Sequence, residues 1–150
     1  MLSSDTFSYT VQARCSVAEA AAFLSDLTRQ GELHPLIVRV REVTPRPGAR
    51  ASYTINDRLA AGPLRFRTTY HADVLVSEPD EIVTVAHQWP ATTVRNHTRL
   101  RAEPDGLVRI DVDITLRAPT PLFRYAFRQA RAAHLALAAR LGAALDTLAS

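Results

Sequence analysis

The sequence of 150 residues has no lysine, one cysteine and few aromatic residues, which make up 7% of the chain. The single cysteine, Cys15, excludes an internal disulfide framework and a cysteine-rich metal cluster. Apolar residues never run long enough, about 18 in succession, to predict a membrane-spanning helix. The amino terminus has neither a basic start nor an apolar segment, unlike a secretory signal. We therefore expect a cytoplasmic protein without integral membrane association.

All 18 basic residues are arginine, and they are interspersed with 15 acidic residues to give a formal charge of +3. The arginines do not form one run, and outward-facing aspartates on the predicted strands can pair with them. We therefore expect no nucleic-acid partner. The overall composition, 47% hydrophobic and 22% charged, is typical of one globular domain spanning residues 1–150.

Apolar residues that alternate with polar ones at every second position predict seven strands. These strands span Thr6–Arg14, Ile37–Thr44, Arg50–Ala60, Leu64–Val76, Glu81–Trp89, Thr93–Glu103 and Leu107–Ala118. Short turn sequences, among them Ala61-Gly62-Pro63, separate the last six strands and predict antiparallel hairpins.

Two further regions have helical signals. Ser16-Val17-Ala18-Glu19 matches a capping box, in which serine and glutamate bond the free amides at a helix start. We expect Asp26 to divide this region into two short helices and Gly31 to end it. Thr120-Pro121 matches an N-cap followed by proline in the first turn, and apolar residues then recur in steps of three and four, which predicts one helix of about 25 residues. This stripe comprises Phe123, Phe127, Ala130, His134, Leu137, Leu141, Leu145 and Leu148.

The predicted order is one strand, two short helices, six strands and one long helix. A sheet with one apolar face needs a cover, and the final helix is the only predicted element long enough to supply it. A twisted sheet curled around one helix does not close tightly at every point, so we expect an apolar cavity between them. The fold class is therefore α+β, a seven-stranded curved antiparallel sheet wrapped around a long C-terminal helix.

This arrangement resembles the START-like, or SRPBCC, superfamily with its helix-grip fold, and in particular its polyketide cyclase/dehydratase-like bacterial branch. The resemblance covers nearly the whole chain. It rests on the first strand leading into the capping box, on Asp26, on Leu33-His34-Pro35-Leu36 before the second strand, and on the last strand feeding the long helix. Many relatives have tryptophan and proline at that exit, whereas this chain has His34 before Pro35. The resemblance implies the fold more strongly than the function, because the superfamily includes binders, transporters and enzymes.

Strand and helix periodicity also predicts which side chains line the cavity. Thr68 and Tyr70 share the apolar face of their strand, and Asn96 and Thr98 share that of another. The predicted ligand-binding residues are Tyr53, Phe66, Thr68, Tyr70, Trp89, Asn96, Thr98, Phe127 and His134. Their polar groups either orient a ligand's carbonyl or hydroxyl group or pair with each other and with water. On the strand that ends at Trp89 both faces are half apolar, so parity does not decide the inward face.

Asp57, Tyr70, Asn96 and His134 are the candidates for acid–base chemistry. Burial of Asp57 raises its pKa, whereas a strand bulge there leaves the carboxylate in solvent, and we favour the solvated carboxylate. His134 lies within the apolar helix stripe, where a histidine is either an acid–base group or a hydrogen-bonded core residue. His34 stands at the expected cavity mouth, and we favour a surface residue that ends a helix over a gating or binding residue.

We expect neither metal nor cofactor, because the five histidines lie on different elements and no nucleophile elbow, Walker loop or dinucleotide fingerprint occurs. The preferred function is the binding or transport of a small hydrophobic molecule, such as a lipid, fatty acid, isoprenoid or aromatic polyketide. One alternative is a metal-free polyketide cyclase/dehydratase-type enzyme, a lyase or isomerase. The other is a regulatory protein-interaction module that forms a homodimer.

Overall fold

The structure is a computed structural model that describes residues 1–61 and 63–149. Its helices and strands follow the predicted order. They are β1 (Leu2–Ala13), α1 (Val17–Ser25), α2 (Leu27–Gly31), β2 (Ile37–Val43), β3 (Ala51–Ala61), β4 (Leu64–Ser77), β5 (Glu81–Gln88), β6 (Thr92–Glu103), β7 (Leu107–Pro119) and α3 (Thr120–Asp146). The predicted turn at 61–63 includes Gly62, which lies outside the described residues.

The seven strands form one sheet in the order β1-β7-β6-β5-β4-β3-β2, and every neighbouring pair is antiparallel. Strands β2 to β7 follow one another as a meander, and β1 joins the outer edge of β7. The register shifts between Ile37 and Arg39 on β2 and between Val74 and Val76 on β4. Such irregularities increase local twist and curvature. The predicted α+β helix-grip architecture is confirmed.

The C-terminal half of α3 packs on β1 and β7. Ala133, Leu137, Leu141 and Leu145 are its buried residues, spaced by four so that they form one line along the helix. Leu137, Leu141 and Leu145 lie in one core cluster with alternating buried residues of β7, which are Val108, Ile110, Val112 and Ile114. The main hydrophobic core therefore lies at this end of the sheet.

The two short helices cover the sheet elsewhere, with α1 against β4, β5 and β6 and α2 against β2. The capping box is confirmed: the Glu19 amide donates to Ser16 Oγ, and the Ser16 amide donates to a Glu19 carboxylate oxygen, each at 3.0 Å. Asp26 separates the helices and caps α2 by accepting from the Thr28 amide at 3.0 Å. Gly31 ends α2 where a Cβ atom would lie 2.5 Å from Val40 Cγ2, so only glycine allows this close approach to β2.

Most strand ends lie within one residue of the sequence-based prediction, and two boundaries differ in a larger way or in their contacts. Helix α3 begins at Thr120 itself with Pro119 at the N-cap, and the Thr120 hydroxyl instead contacts Ser3 Oγ at 2.9 Å. Strand β1 starts at Leu2 rather than Thr6, because its first residues continue the ladder with β7. Among the described residues, no helix is long and apolar enough to cross a membrane.

We expect the Leu141→Ala variant to lower the free energy of unfolding by about 2–5 kcal/mol, because Leu141 is 1% exposed and its truncation leaves a cavity between α3 and β7. Leu122→Ala is the matched control, since Leu122 lies on the same helix and is 45% exposed. The free energy of unfolding of Leu122→Ala should stay within about 0.5 kcal/mol of that of the unmodified protein. Urea denaturation followed by circular dichroism measures both, and equal effects would contradict the packing described here.

Candidate functional site

A cavity of about 540 Å³ lies between the sheet and the N-terminal half of α3. Its wall is mostly apolar, and its volume is within the range of small-molecule sites. The space exists because α3 presents Ala126, Ala130 and Ala133 here, whereas the following turns present leucines. On the sheet, Ala72 and Ala86 face the same space. Side chains this small do not span the distance between helix and sheet.

The mouth of the cavity is surrounded by exposed apolar side chains. Trp89 follows β5 and is 89% exposed, although it lines the cavity. Phe66 near the start of β4 and Leu122 and Tyr125 on the first turns of α3 are also exposed and line the cavity. An apolar ligand therefore meets apolar surface before it enters.

Asp57 is the only acidic residue on the cavity wall within the described ranges. It lies on β3, is 7% exposed and stands directly opposite Thr68 of β4. Burial raises the pKa of Asp57 to about 6, and a hydrogen bond donated by the Tyr70 hydroxyl offsets part of that rise. Asp57 Oδ1 and Thr68 Oγ1 are both buried without a hydrogen-bond partner. Asp57 is therefore buried, and the favoured expectation of a solvated carboxylate is wrong. The β3–β4 ladder is regular at this residue, and the neighbouring register shift lies on β2, between Ile37 and Arg39.

Two histidines face each other on another part of the wall. The rings of His34 and His134 meet edge to face with their centroids 5.5 Å apart. Burial lowers the pKa of His134 to about 3, with a further contribution from His34, and burial lowers the pKa of His34 to about 4. Both rings are therefore neutral near pH 7. The Leu36 amide donates to His34 Nδ1 at 3.2 Å, which leaves the ring proton on Nε2, whereas His134 Nδ1 is buried without a partner.

The cavity wall includes seven of the ten residues predicted for ligand binding or acid–base chemistry. These are Asp57, Phe66, Thr68, Tyr70, Trp89, Asn96 and His134. All four candidates for acid–base chemistry are among them. Strand parity located those on β3, β4 and β6, because the ladder is regular in this part of the sheet.

Tyr53, Thr98 and Phe127 do not line the cavity. Tyr53 is buried in a second cluster with Val74 and meets the backbone of Leu27 through its hydroxyl group. The buried Thr98 hydroxyl donates to Asn96 Oδ1 at 2.7 Å. Phe127 packs against Phe7 of β1, with their ring centroids 5.6 Å apart.

The first two residues of the predicted apolar stripe on α3 do not line the cavity. Phe123 and Phe127 stack on each other, and Phe127 packs on the β1 side, so the line facing the cavity is Ala126, Ala130 and Ala133 instead. Because alanine is less hydrophobic than phenylalanine, Phe123 and Phe127 dominate the apolar pattern in this part of the sequence. Gln129 lies three positions after Ala126, so helical spacing counted from Ala126 would have identified this polar lining residue.

His34 was wrongly favoured as a surface residue. It is partly buried, lines the cavity and contacts His134, because the turn after α2 folds back toward α3. The inward face of β5 is also now decided: Thr84, Ala86 and Gln88 line the cavity, while His87 is exposed. Within the described ranges, no three histidine, cysteine, aspartate or glutamate side chains lie close enough to hold a metal ion.

Solved structures with the same fold share little sequence with this chain. The di-domain ARO/CYC StfQ from the steffimycin biosynthetic pathway has a TM-score of 0.72 at 16% identity over 96% of this chain. This chain spans about half of that protein, 51% of its length. A START superfamily protein from Mycobacterium smegmatis also has a TM-score of 0.72, at 15% identity over 95% of this chain and 98% of the other.

A third similar structure is a norcoclaurine synthase from Thalictrum flavum, a point mutant in complex with a transition state analogue. Its TM-score is 0.70 at 7% identity, over 100% of this chain and 99% of that chain. At these identities the similarity shows the fold alone. A search of curated proteins finds no significant match.

The resemblance to START-like proteins and polyketide cyclases that the sequence suggested is confirmed at two levels. The structural similarity extends over nearly the whole chain. The model of one family, described as polyketide cyclase / dehydrase and lipid transport, matches residues 4–150. This chain therefore belongs to the polyketide cyclase / dehydrase and lipid transport family.

Proposed function

We propose that this protein binds a small, mostly apolar molecule in its internal cavity and fixes the molecule's orientation through a few polar groups. The observation that carries this proposal is the set of three buried polar atoms that have no partner among the described residues, Asp57 Oδ1, Thr68 Oγ1 and His134 Nδ1. All three belong to residues of the cavity wall. Each unpaired buried group costs about 1–3 kcal/mol, so their presence on one wall favours a partner that enters the cavity.

Binding is favoured over catalysis by the way the acid–base groups are distributed. Asp57 is paired with Tyr70 on the sheet, while His134 contacts His34 beside the helix. Neither pair forms a nucleophile–base–orienter chain of the kind that activates a serine or cysteine. Most of the remaining wall is aliphatic or aromatic, which supplies affinity by burying apolar surface.

A substitution that fills the cavity tests whether it is the binding site. In Ala126→Phe a ring occupies space at the helix wall, so we expect the affinity for the neutral, solvatochromic dye Nile red to fall at least about tenfold. Ala132→Phe is the matched control, because Ala132 lies on the exposed side of α3, and it should bind as the unmodified protein does. Fluorescence titration measures both, with circular dichroism to verify folding. Unchanged binding by folded Ala126→Phe would refute the cavity as the site.

A second candidate function is acid–base catalysis of a cyclisation or dehydration. Asp57 favours it, because a carboxyl group with a pKa of about 6 is able to accept and return a proton near neutral pH. In the dehydration of a β-hydroxy ketone, Asp57 would take the proton from the carbon beside the carbonyl group. The carbon–oxygen bond would then break, and the hydroxyl group would leave as water with a proton donated by Tyr70. Asp57 would return the abstracted proton to the Tyr70 oxygen across their hydrogen bond, which restores both side chains.

If the protein has this activity, it should accelerate the dehydration of a synthetic aromatic β-hydroxy ketone, followed by the absorbance of the enone. The rate should rise with pH through about 6, because the base form of Asp57 is required. Asp57→Asn should lower the rate at least about 100-fold. Asp80→Asn is the matched control, since Asp80 is exposed in the turn before β5. No acceleration over buffer, or equal rates in both variants, would exclude this candidate.

The stability of Asp57→Asn supplies an independent test of the buried carboxyl group. The pKa of Asp57 is raised from 3.8 to about 6 on folding, so its proton stabilises the folded state fully below pH 3.8. This contribution is lost as the pH rises through about 6. At pH about 8, Asp57→Asn should therefore match or exceed the free energy of unfolding of the unmodified protein, by up to about 3 kcal/mol. Denaturant titrations at pH about 4 and about 8 measure the difference between the two proteins. A difference that does not change with pH would show that Asp57 titrates normally.

A further inference from the structure

The charges around the cavity restrict which ligands it accepts. Within the described residues its wall contains no arginine, although arginine supplies every basic side chain except histidine in this protein. Among the described residues Asp57 is the one acidic residue of the wall, and His34 and His134 are partly buried and neutral near pH 7. The wall therefore offers no positive charge to an anionic ligand.

The arginines that are nearest in sequence to Asp57 and Thr68 lie outside the cavity. Arg58 follows Asp57, and Arg67 precedes Thr68; both are exposed. Because successive side chains of a strand point to opposite faces, their guanidinium groups lie on the outer face of the sheet. Arg58 and Arg67 also stand opposite each other in the β3–β4 ladder. This alternation separates the basic side chains from the buried polar groups by the thickness of the sheet.

Two of the three unpartnered atoms lie side by side. Asp57 and Thr68 are directly opposite each other in the ladder, a position that brings Cβ atoms to about 5 Å. A carboxylate oxygen accepts hydrogen bonds, and a threonine hydroxyl either donates or accepts. A single ligand hydroxyl placed between them donates to Asp57 Oδ1 and accepts from Thr68 Oγ1. It would pair both atoms at once.

A carboxylate in the same position has no such arrangement. It carries no proton to donate to Asp57, and the two negative charges repel each other in a wall of low polarity. An ionised carboxyl group also loses its hydration on entry, and without a cation nothing offsets that loss. A fatty acid would have to keep its head group at the mouth.

We propose that the cavity selects uncharged apolar molecules that carry a hydroxyl or phenol group, with that group bound between Asp57 and Thr68, and that it discriminates against carboxylates of the same skeleton. This inference rests on the proposed binding function and narrows its ligand class. It separates hydroxylated aromatic or terpenoid molecules from fatty acids, which the cavity volume and apolar wall alone do not distinguish.

The test compares 2-naphthol with 2-naphthoic acid as competitors of Nile red, at pH about 7.5, where the phenol is neutral and the acid is ionised. 2-Methylnaphthalene is included as a probe of the same skeleton without a polar group. We expect 2-naphthol to displace the dye at a concentration at least about tenfold lower than 2-naphthoate, with 2-methylnaphthalene weaker than 2-naphthol.

Two variants test whether Asp57 and Thr68 cause the preference for 2-naphthol over 2-naphthoate. In Asp57→Asn, 2-naphthoate should bind more tightly and 2-naphthol more weakly, so that the preference shrinks at least about fivefold. Thr68→Val keeps the shape of the side chain, removes its hydroxyl group and should weaken 2-naphthol alone. Asp80→Asn, the same chemical change at an exposed position, should leave all three affinities as they are.

The outcomes separate this inference from the function on which it rests. If Nile red does not bind the unmodified protein, the proposed binding function and the proposed ligand class are both wrong. If Nile red binds and 2-naphthoate competes as well as 2-naphthol, binding stands and the proposed ligand class is wrong. If 2-naphthol is preferred but folded Asp57→Asn keeps the full preference, Asp57 is not its source and the inference is overturned. Retention of Nile red binding verifies that each variant is folded.

Discussion

The packing of one half of α3 onto β1 and β7 is the interaction on which the rest of this structure depends. Leu137, Leu141 and Leu145 fill the space between helix and sheet and hold the helix at one end. The helix is continuous, so its other half must project over the sheet at a distance set by that anchor. Ala126, Ala130 and Ala133 are too small to fill the space beneath it. The cavity therefore results from the size of side chains along a single helix face.

Burial in the cavity wall also shifts the pKa values of its titratable groups. Removal from water raises the pKa of Asp57 and lowers the pKa values of His34 and His134, so in each case the neutral form is favoured. Within the described part of the chain, three atoms of the wall are nevertheless left without partners. A fold optimised for stability alone would place apolar side chains of similar volume at these positions. Polar residues here are instead consistent with a site that is completed by a bound molecule.

Family membership and site chemistry answer different questions about this protein. The family match and the shared fold are consistent with both binding and cyclase roles, because proteins of this shape have different activities. What is particular to this chain is the content of its cavity: one buried carboxyl group, a threonine opposite it, two neutral histidines and no arginine among the described wall residues.

The sequence by itself determined the number and order of the strands, the two capped short helices, the long final helix and the inward positions of Thr68, Tyr70 and Asn96. These features follow from local periodicity and capping, which depend on residues only a few positions apart. Only the tertiary structure decided that Phe127 faces β1, that Tyr53 belongs to a separate cluster and that β5 presents Thr84 rather than His87 to the cavity. It also decided that His34 meets His134, which is 100 positions away in the sequence. The reason is physical: periodicity identifies the two faces of an element, but which face is covered, and by what, depends on how distant parts of the chain pack together.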